Sequence, residues 1–230
     1  MSMYDVLKQL PIFQGISTEE LTDIIEKVPF HFMHFDSGQT ILSRGDECRH
    51  ITFILSGKVR METPTFGGRV RIVQEFESPH TMQFYNLFGA EIHLHDTLIA
   101  IDNVGVMQLD KHSFLRVLQQ NKISLINVLN MLSTNAQKQH KAMDFSGETN
   151  PVLRLASWLL ALTDRSAKNI VMEASTADWC SMLQLEESAY WRCVATLEGL
   201  KAIESEGGKL KLVDRYGLRT FVGQKTAQKE

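Results

Sequence analysis

The spacing of apolar residues changes along the chain, and each change marks a different kind of element. Up to residue 28 it is helical: Leu21, Ile24, Ile25 and Val28 follow Ser17-Thr-Glu-Glu20, a capping-box pattern in which a serine and a glutamate three residues on cover each other's backbone N–H, so residues 5–28 are predicted as short helices. From Phe30 to Leu109 the apolar runs shorten to 30–35, 40–42, 51–55, 58–62, 69–76 and 97–109, punctuated by Gly38, Gly45, Gly57, Gly67, Gly68 and Gly89. Short strands broken by glycine predict an antiparallel sandwich or small barrel.

After Asp110 the helical spacing returns. Leu125, Leu129, Leu132, Ala136, Gln139 and Met143 stand 4, 3, 4, 3 and 4 residues apart, an a/d seam, with Asn127, Asn130, Ser133 and Lys138 on the polar side. Two outcomes are open for helix 124–143. It packs on its own barrel, or Leu125, Leu129, Leu132, Ala136 and Met143 form the interface of a homodimer.

The stretch 144–151 is a polar linker, and Asn150-Pro151 is a helix start with proline at the first helical position. We place the domain boundary there, giving 1–145, with the long helix 124–143, and 146–230. The second part opens with an apolar helix, 151–162, whose Leu155, Trp158, Leu159 and Leu162 share one face, followed by a strand at 169–173. Helices at 176–183 and 187–200 come next, separated by Gln184-Leu185-Glu186. Runs 209–213 and 219–222 flank Asp214-Arg-Tyr-Gly217 and read as a hairpin. Two helices joined by a three-residue turn and trailed by a hairpin have the outline of a winged helix-turn-helix.

Composition narrows the function classes. With 230 residues, 43% hydrophobic and 22% charged, the chain has globular proportions and is no disordered tail, collagen repeat or coiled-coil rod. No apolar run approaches the roughly 20 residues of a membrane span, and the N-terminus has neither the basic start nor the apolar stretch of a signal peptide, so a cytoplasmic protein without membrane contact is expected. Cys48, Cys180 and Cys193 form no Cys-x-x-Cys pair, so neither a structural metal nor a cofactor is expected. Lys and Arg total 24 against 27 Asp and Glu, a net charge of −3. Bulk charge therefore cannot drive phosphate binding.

Three segments carry a family resemblance. Ser37-Gly-Gln-Thr-Ile-Leu-Ser-Arg-Gly-Asp46 with Ile51-Thr-Phe-Ile-Leu-Ser-Gly-Lys-Val-Arg60 resembles the start of a cyclic-nucleotide-binding β-roll, and Ala100-Ile-Asp-Asn-Val-Gly-Val-Met-Gln-Leu-Asp110 resembles its closing strands. Arg154-Leu-Ala-Ser-Trp-Leu-Leu160 resembles the opening helix of the attached DNA-binding domain. In this order, over nearly the whole chain, they resemble Crp/Fnr transcription regulators. The resemblance implies an α+β protein: a jelly-roll-like sensor, a long dimerisation helix and a C-terminal winged helix-turn-helix.

The residues that carry the family's chemistry depart from its pattern. Its cyclic-nucleotide binders hold phosphate with an arginine and ribose with the glutamate of a Gly-Glu-Leu segment, a bidentate cation for the anion and an acceptor for the hydroxyl. Here the stretch reads Asn86-Leu-Phe-Gly-Ala-Glu-Ile-His-Leu-His-Asp96: Glu91 comes one residue late and no arginine lies between Arg71 and Arg116. An effector other than cAMP, or none, is expected, with Gly89, Glu91, His93 and His95 as the candidate pocket. As a strand the segment would put Glu91, His93 and His95 on one face; as a helix start it would not. Cys48, in the turn after Gly45-Asp46, is a candidate redox or ligand sensor.

In helix 187–200, Tyr190, Cys193, Val194, Leu197 and Leu200 are expected to face the core, leaving Glu187, Ser188, Trp191, Arg192 and Ala195 for DNA. The family's recognition helix typically opens with arginine and glutamate and has a second arginine four or five residues on. Arg192 matches that second arginine, Ser188 stands at the glutamate and Glu187 at the first arginine. From Thr176 to Glu206 there are two basic and six acidic residues, a net −4. Compensation is expected from Lys209, Lys211, Arg215 and Arg219 as a basic wing and from Arg165 and Lys168, with Thr176 at the start of the first helix as a further contact. The expected partners are double-stranded DNA, a second copy of the chain and, for a regulator of this layout, RNA polymerase. The alternative is a relative whose helix pair binds protein, Trp191 being an anchor. Without a P-loop, Gly-x-Ser-x-Gly or His-Glu-x-x-His, the chain is not expected to be an enzyme.

Overall fold

The computed structural model describes residues 3–82, 84–144 and 148–227. The chain is α+β and forms two compact units, one of residues 1–61 and 76–135, the other of 62–75 and 136–230. The units thus do not follow a single cut near 145: residues 62–75, from the middle of the β region, belong with the C-terminal part.

In the first unit α1 (Met3–Gln9) and α2 (Thr18–Lys27) precede the strands. The capping box forms as its sequence dictates: the Ser17 hydroxyl accepts from Glu20 N–H, and the Glu20 carboxylate accepts from Ser17 N–H at 3.0 Å. The strands are β1 (His31–Phe35), β2 (Thr40–Leu42), β3 (His50–Ser56), β4 (Lys58–Thr65), β5 (Val70–Glu77), β6 (His80–Thr81), β7 (Thr97–Ala100) and β8 (Val104–Asp110). Two sheets form the sandwich, one ordered β1-β8-β3-β6, the other with β5, β4, β7 and β2 as successive neighbours. Register follows burial, with Met33 opposite Val106 and Phe53 opposite Met107. Gly57, at φ +86, cannot be replaced cheaply, because a Cβ there would lie 2.5 Å from Asn103 O.

Asp110 ends β8 and caps α3 (Lys111–Gln120), its carboxylate accepting from His112 and Ser113 N–H; the Ser113 hydroxyl, together with these backbone bonds, holds its pKa below the usual carboxylate range. Next comes α4 (Lys122–Asp144). Ser124 and Val128 are buried against the roll, and the Asn127 amide donates to Ile12 O at 3.2 Å and Gln14 O at 2.9 Å. Asn127 is therefore an anchor rather than part of a solvated face. On the other side Leu125, Ile126, Leu129 and Leu132 are exposed.

The second unit contains α5 (Pro151–Ala161), β9 (Lys168–Glu173), α6 (Thr176–Leu183), α7 (Glu187–Gly199), β10 (Ile203–Glu206), β11 (Lys209–Leu212) and α8 (Arg215–Ala227). Asn150 caps α5 by accepting from Val152 and Leu153 N–H. Trp179, Tyr190, Leu155, Leu159 and Leu197 form the core, with Tyr190 stacked on Trp179 at 6.5 Å between ring centroids. Residues 62–75 complete it: Val70 and Ile72 are buried in this core and the Phe66 ring lies 4.9 Å from that of Trp158. The backbone joins as well, since β5 pairs antiparallel with β9, with Arg71 opposite Glu173, Ile72 opposite Met172 and Val73 opposite Val171. The Gln74 side-chain Oε1 accepts from Asp164 N–H at 2.5 Å, and the Asn169 side-chain amide donates to the Glu75 carboxylate.

The wing is not where the sequence reading put it. The hairpin is β10–β11, with Ile203 opposite Leu212, turned by Gly207 and Gly208 at φ +56 and +82. Residues 214–217 open α8 instead: the Asp214 carboxylate accepts from Gly217 N–H at 2.8 Å, so the aspartate taken for a turn residue is a helix cap. Lys209 and Lys211 keep their place on the wing, whereas Arg215 and Arg219 lie on α8. Arg215 folds back onto the end of α5, donating to Leu160 O at 2.9 Å and Thr163 O at 3.0 Å and contacting the Thr163 hydroxyl. Lys138 donates to the same Thr163 carbonyl at 2.6 Å, and burial pushes its pKa down. Both cations stand where the C-terminal carbonyls of a helix are unpaired. Leu200 also departs from expectation: it caps α7 and is 47% exposed, although Tyr190, Cys193, Val194 and Leu197 are buried.

Two stability measurements follow. Ile72→Ala removes a side chain from the second unit's core and should destabilise the full chain by about 2–5 kcal/mol in urea unfolding, as for other large-to-small core substitutions. Arg215→Ala should cost about 1–3 kcal/mol by leaving Leu160 O and the Thr163 hydroxyl without the guanidinium, whereas the exposed Arg219→Ala should leave the midpoint unchanged. Equal effects of the two arginine substitutions would contradict the structural role of Arg215.

Candidate nucleic-acid interface and effector pocket

The candidate nucleic-acid surface is built on α6 and α7. Ser175 caps α6, its hydroxyl accepting from Asp178 N–H, and Thr176, half-buried, begins the helix. The helix ends at Gln184 in the left-handed conformation, φ 51, with Leu185 N–H returning to Cys180 O at 2.9 Å. A residue with a Cβ in this conformation costs roughly 1 kcal/mol, yet the tight turn forms without the family's glycine. Glu186 stands at the start of α7 with no side-chain cap bond.

The face opposite the buried residues of α7 carries Glu187, Ser188, Trp191, Arg192 and Ala195, all exposed. Sequence spacing identified this face correctly. The Trp191 indole N–H donates to the Glu187 carboxylate at 3.3 Å, and its ring stays 41% exposed against Tyr190. The Arg192 guanidinium makes no hydrogen bond or ion pair with a side chain or carbonyl among the described residues, and its donor fork is open to solvent.

The wing is less free than its sequence suggests. Lys209 pairs with Glu173 at 2.9 Å and Lys211 with Glu204 at 3.1 Å. Glu173 also pairs with Arg71 at 3.2 Å. Of the four basic residues assigned to a wing, Lys209 and Lys211 are on it but ion-paired, Arg215 is half-buried and bonded to α5, and Arg219 is exposed on α8.

In the roll the segment 92–94 is extended, not helical. Cys48 N–H donates to Ile92 O at 2.7 Å, Leu94 N–H to Asp46 O at 2.8 Å and Gly45 N–H to Leu94 O at 2.9 Å. Glu91, His93 and His95 accordingly share a face, but it is the exposed one, and Gly89 is exposed as well. Glu91 accepts from the His93 N–H and contacts its ring nitrogen at 3.1 Å, which lowers the Glu91 pKa. These four residues line no cavity. The space inside the roll lies behind them, bounded by Leu42, Met61, Met82, Asn86, Leu94, Asp96 and Leu98, and has a volume of about 20 Å³. That is room for about one water molecule. The methionines were missed because no short motif connects strands that meet only in the fold. Among the described residues, no group of three or more His, Cys, Asp or Glu is placed to hold a metal. Cys48 is buried, and that burial raises its pKa, the opposite of what thiol reactivity needs.

On α4, Leu125, Leu129 and Leu132 are 38%, 52% and 37% exposed, and Ala136 is exposed too. The side chain of Met143 lies outside the described residues. Such a row of open leucines is left uncovered by the described residues. No helix of the described residues is long and apolar enough to cross a membrane.

Residues 32–121 match the family model of the cyclic nucleotide-binding domain. Among solved structures the chain is similar to the catabolite activator protein of Thermus thermophilus, with a TM-score of 0.53 and 16% identity over 93% of this chain and 99% of that one. It also matches DNR from Pseudomonas aeruginosa (TM-score 0.45, 17% identity, 94% and 96% covered) and FixK2 from Bradyrhizobium japonicum (0.46, 15%, 84% and 97%). No curated protein matches it in sequence. Residues 32–121 are thus similar to the cyclic nucleotide-binding domain, and the chain shares the fold of the catabolite activator protein.

Proposed function

We propose that this chain is a homodimeric, sequence-specific DNA-binding transcription regulator, and that its roll senses a small molecule other than cAMP or no ligand at all. The observation that carries the reading is the exposed face of α7, where the unpaired Arg192 fork stands beside Ser188 in a helix-turn-helix followed by a β-hairpin. An arginine so placed reads guanine through its O6 and N7 acceptors. Dimerisation rests on Leu125, Leu129, Leu132 and Ala136, since burying each leucine contributes roughly 1.5–3 kcal/mol. The cavity of about 20 Å³, bounded by leucines, methionines, Asn86 and Asp96 with no arginine among them, argues against a cyclic nucleotide. Regulation would be a shift between two dimer arrangements that respaces helix pairs over half-sites about 34 Å apart.

A second reading, a helix pair that binds protein, is favoured by one observation. The net −4 from Thr176 to Glu206 opposes counterion release, and Trp191 is a partly exposed aromatic anchor with its N–H held by Glu187. Genomic footprinting of the tagged protein separates the two: enriched palindromic sites support the regulator, and their absence supports the protein-binding reading.

Arg192→Ala should weaken binding to such a site by about 1–3 kcal/mol and relax preference at one base pair, measured by titration with the native and the substituted operator. Leu129→Asp should shift the chain from dimer to monomer in sedimentation and abolish operator binding without unfolding the roll. A dimer that survives this change would place the interface elsewhere.

A further inference from the structure

The cations missing from the helix pair are found on the sensor's hairpin. Between the 66–69 turn and the 207–208 turn of the wing lies an open cleft of about 430 Å³, wholly within the second unit. Strand register builds its wall. Arg71 stands opposite Glu173, and Glu173 opposite Lys209, so three adjacent strands place these side chains in one row on the sheet face away from Ile72, Met172 and Leu210. Glu173 serves both cations, accepting from Lys209 at 2.9 Å and Arg71 at 3.2 Å. Arg69 adds a third positive charge at the rim. Its Nε donates to Phe66 O at 3.1 Å, while its two terminal nitrogens donate to nothing among the described residues. Arg71 is also 4.0 Å from Glu62, so the cations of the cleft still outnumber the carboxylates that face them.

The walls are shaped for close approach. Gly68 and Gly207, at φ +85 and +56, have open space where a Cβ would point, so a ligand can come against backbone there. Ser175, the cap of α6, also lines the cleft, its hydroxyl donating to the Asp178 carboxylate at 2.5 Å.

We propose that this cleft binds a phosphate group, and that the group is a phosphodiester of the DNA backbone flanking the site read by α7. This inference rests on the DNA-binding reading of α7. The hairpin then has two jobs: it completes the core of the second unit through Val70 and Ile72, and it supplies to DNA the arginine fork that the acidic helix pair lacks. Guanidinium suits the task because its planar donors match phosphate oxygens in pairs. A phosphate contact of this kind fixes position and adds affinity without sequence preference.

The test is the salt dependence of duplex binding by the full-length wild type, Arg69→Ala, and Arg44→Ala, the last removing an equal charge from the roll. Each phosphate contact contributes about 0.9 to the slope of log affinity against log salt. Arg69→Ala should flatten the slope by about 0.9 and weaken binding several-fold for any duplex sequence, with an unchanged thermal midpoint, while Arg44→Ala should match wild type. Wild-type binding with the same slope in Arg69→Ala overturns the cleft and leaves the reading of α7 intact. No duplex binding by wild type at low salt overturns both. Titration with pyrophosphate in the absence of DNA separates the sources: saturable binding that Arg69→Ala abolishes, together with an unaltered duplex slope, assigns the cleft to a free phosphate compound and overturns the DNA assignment.

Discussion

The C-terminal unit depends on the pairing of β5 with β9. With β11 on one side and β5 on the other, β9 is an interior strand; without β5 its outer N–H and C=O groups would form an open edge. The same hairpin seats Val70 and Ile72 among Leu155, Leu159 and Trp179 and lays Phe66 on Trp158. Residues 62–75 are thus part of that hydrophobic core although they lie about a hundred residues from the rest of it.

On the proposed reading, sensing and recognition are both unlike those of a cyclic-nucleotide regulator. The space left inside the roll is about 20 Å³, and Glu91 and the two histidines that replace the family's motif face outward. The helix pair is acidic and presents a single unpaired arginine, Arg192, on its open face. Positive charge is displaced toward the hairpin and the wing, where Arg71 and Lys209 share one carboxylate. Affinity through phosphates and specificity through α7 then come from different elements.

Features set by local spacing were legible in the sequence. The Ser17–Glu20 capping box, the exposed leucines of α4 and the outward face of α7 all follow from side-chain positions three and four residues apart. Features set by which distant strands meet were not. Gly207-Gly208 carried the hairpin signal, but Asp214 resembled a turn residue as much as the helix cap that it is. The cue to the β5–β9 pairing was the alternation of Val70 and Ile72 close to a hairpin tip, where apolar residues would otherwise meet water. The ion pairs of Lys209 and Lys211 were hidden for the same reason, because their partners are set by strand register rather than by sequence neighbours.

Residues 62–75 are structurally part of the second unit, and residue-resolved amide hydrogen exchange on the full chain tests this most directly. The β5 amides that point away from β4 and the β9 amides that point away from β11 should be protected, with exchange rates that match each other and those of the Trp179–Tyr190 core. Rapid exchange of these amides, with β9 protected only on its β11 side, would show that the hairpin stands apart and would contradict the account.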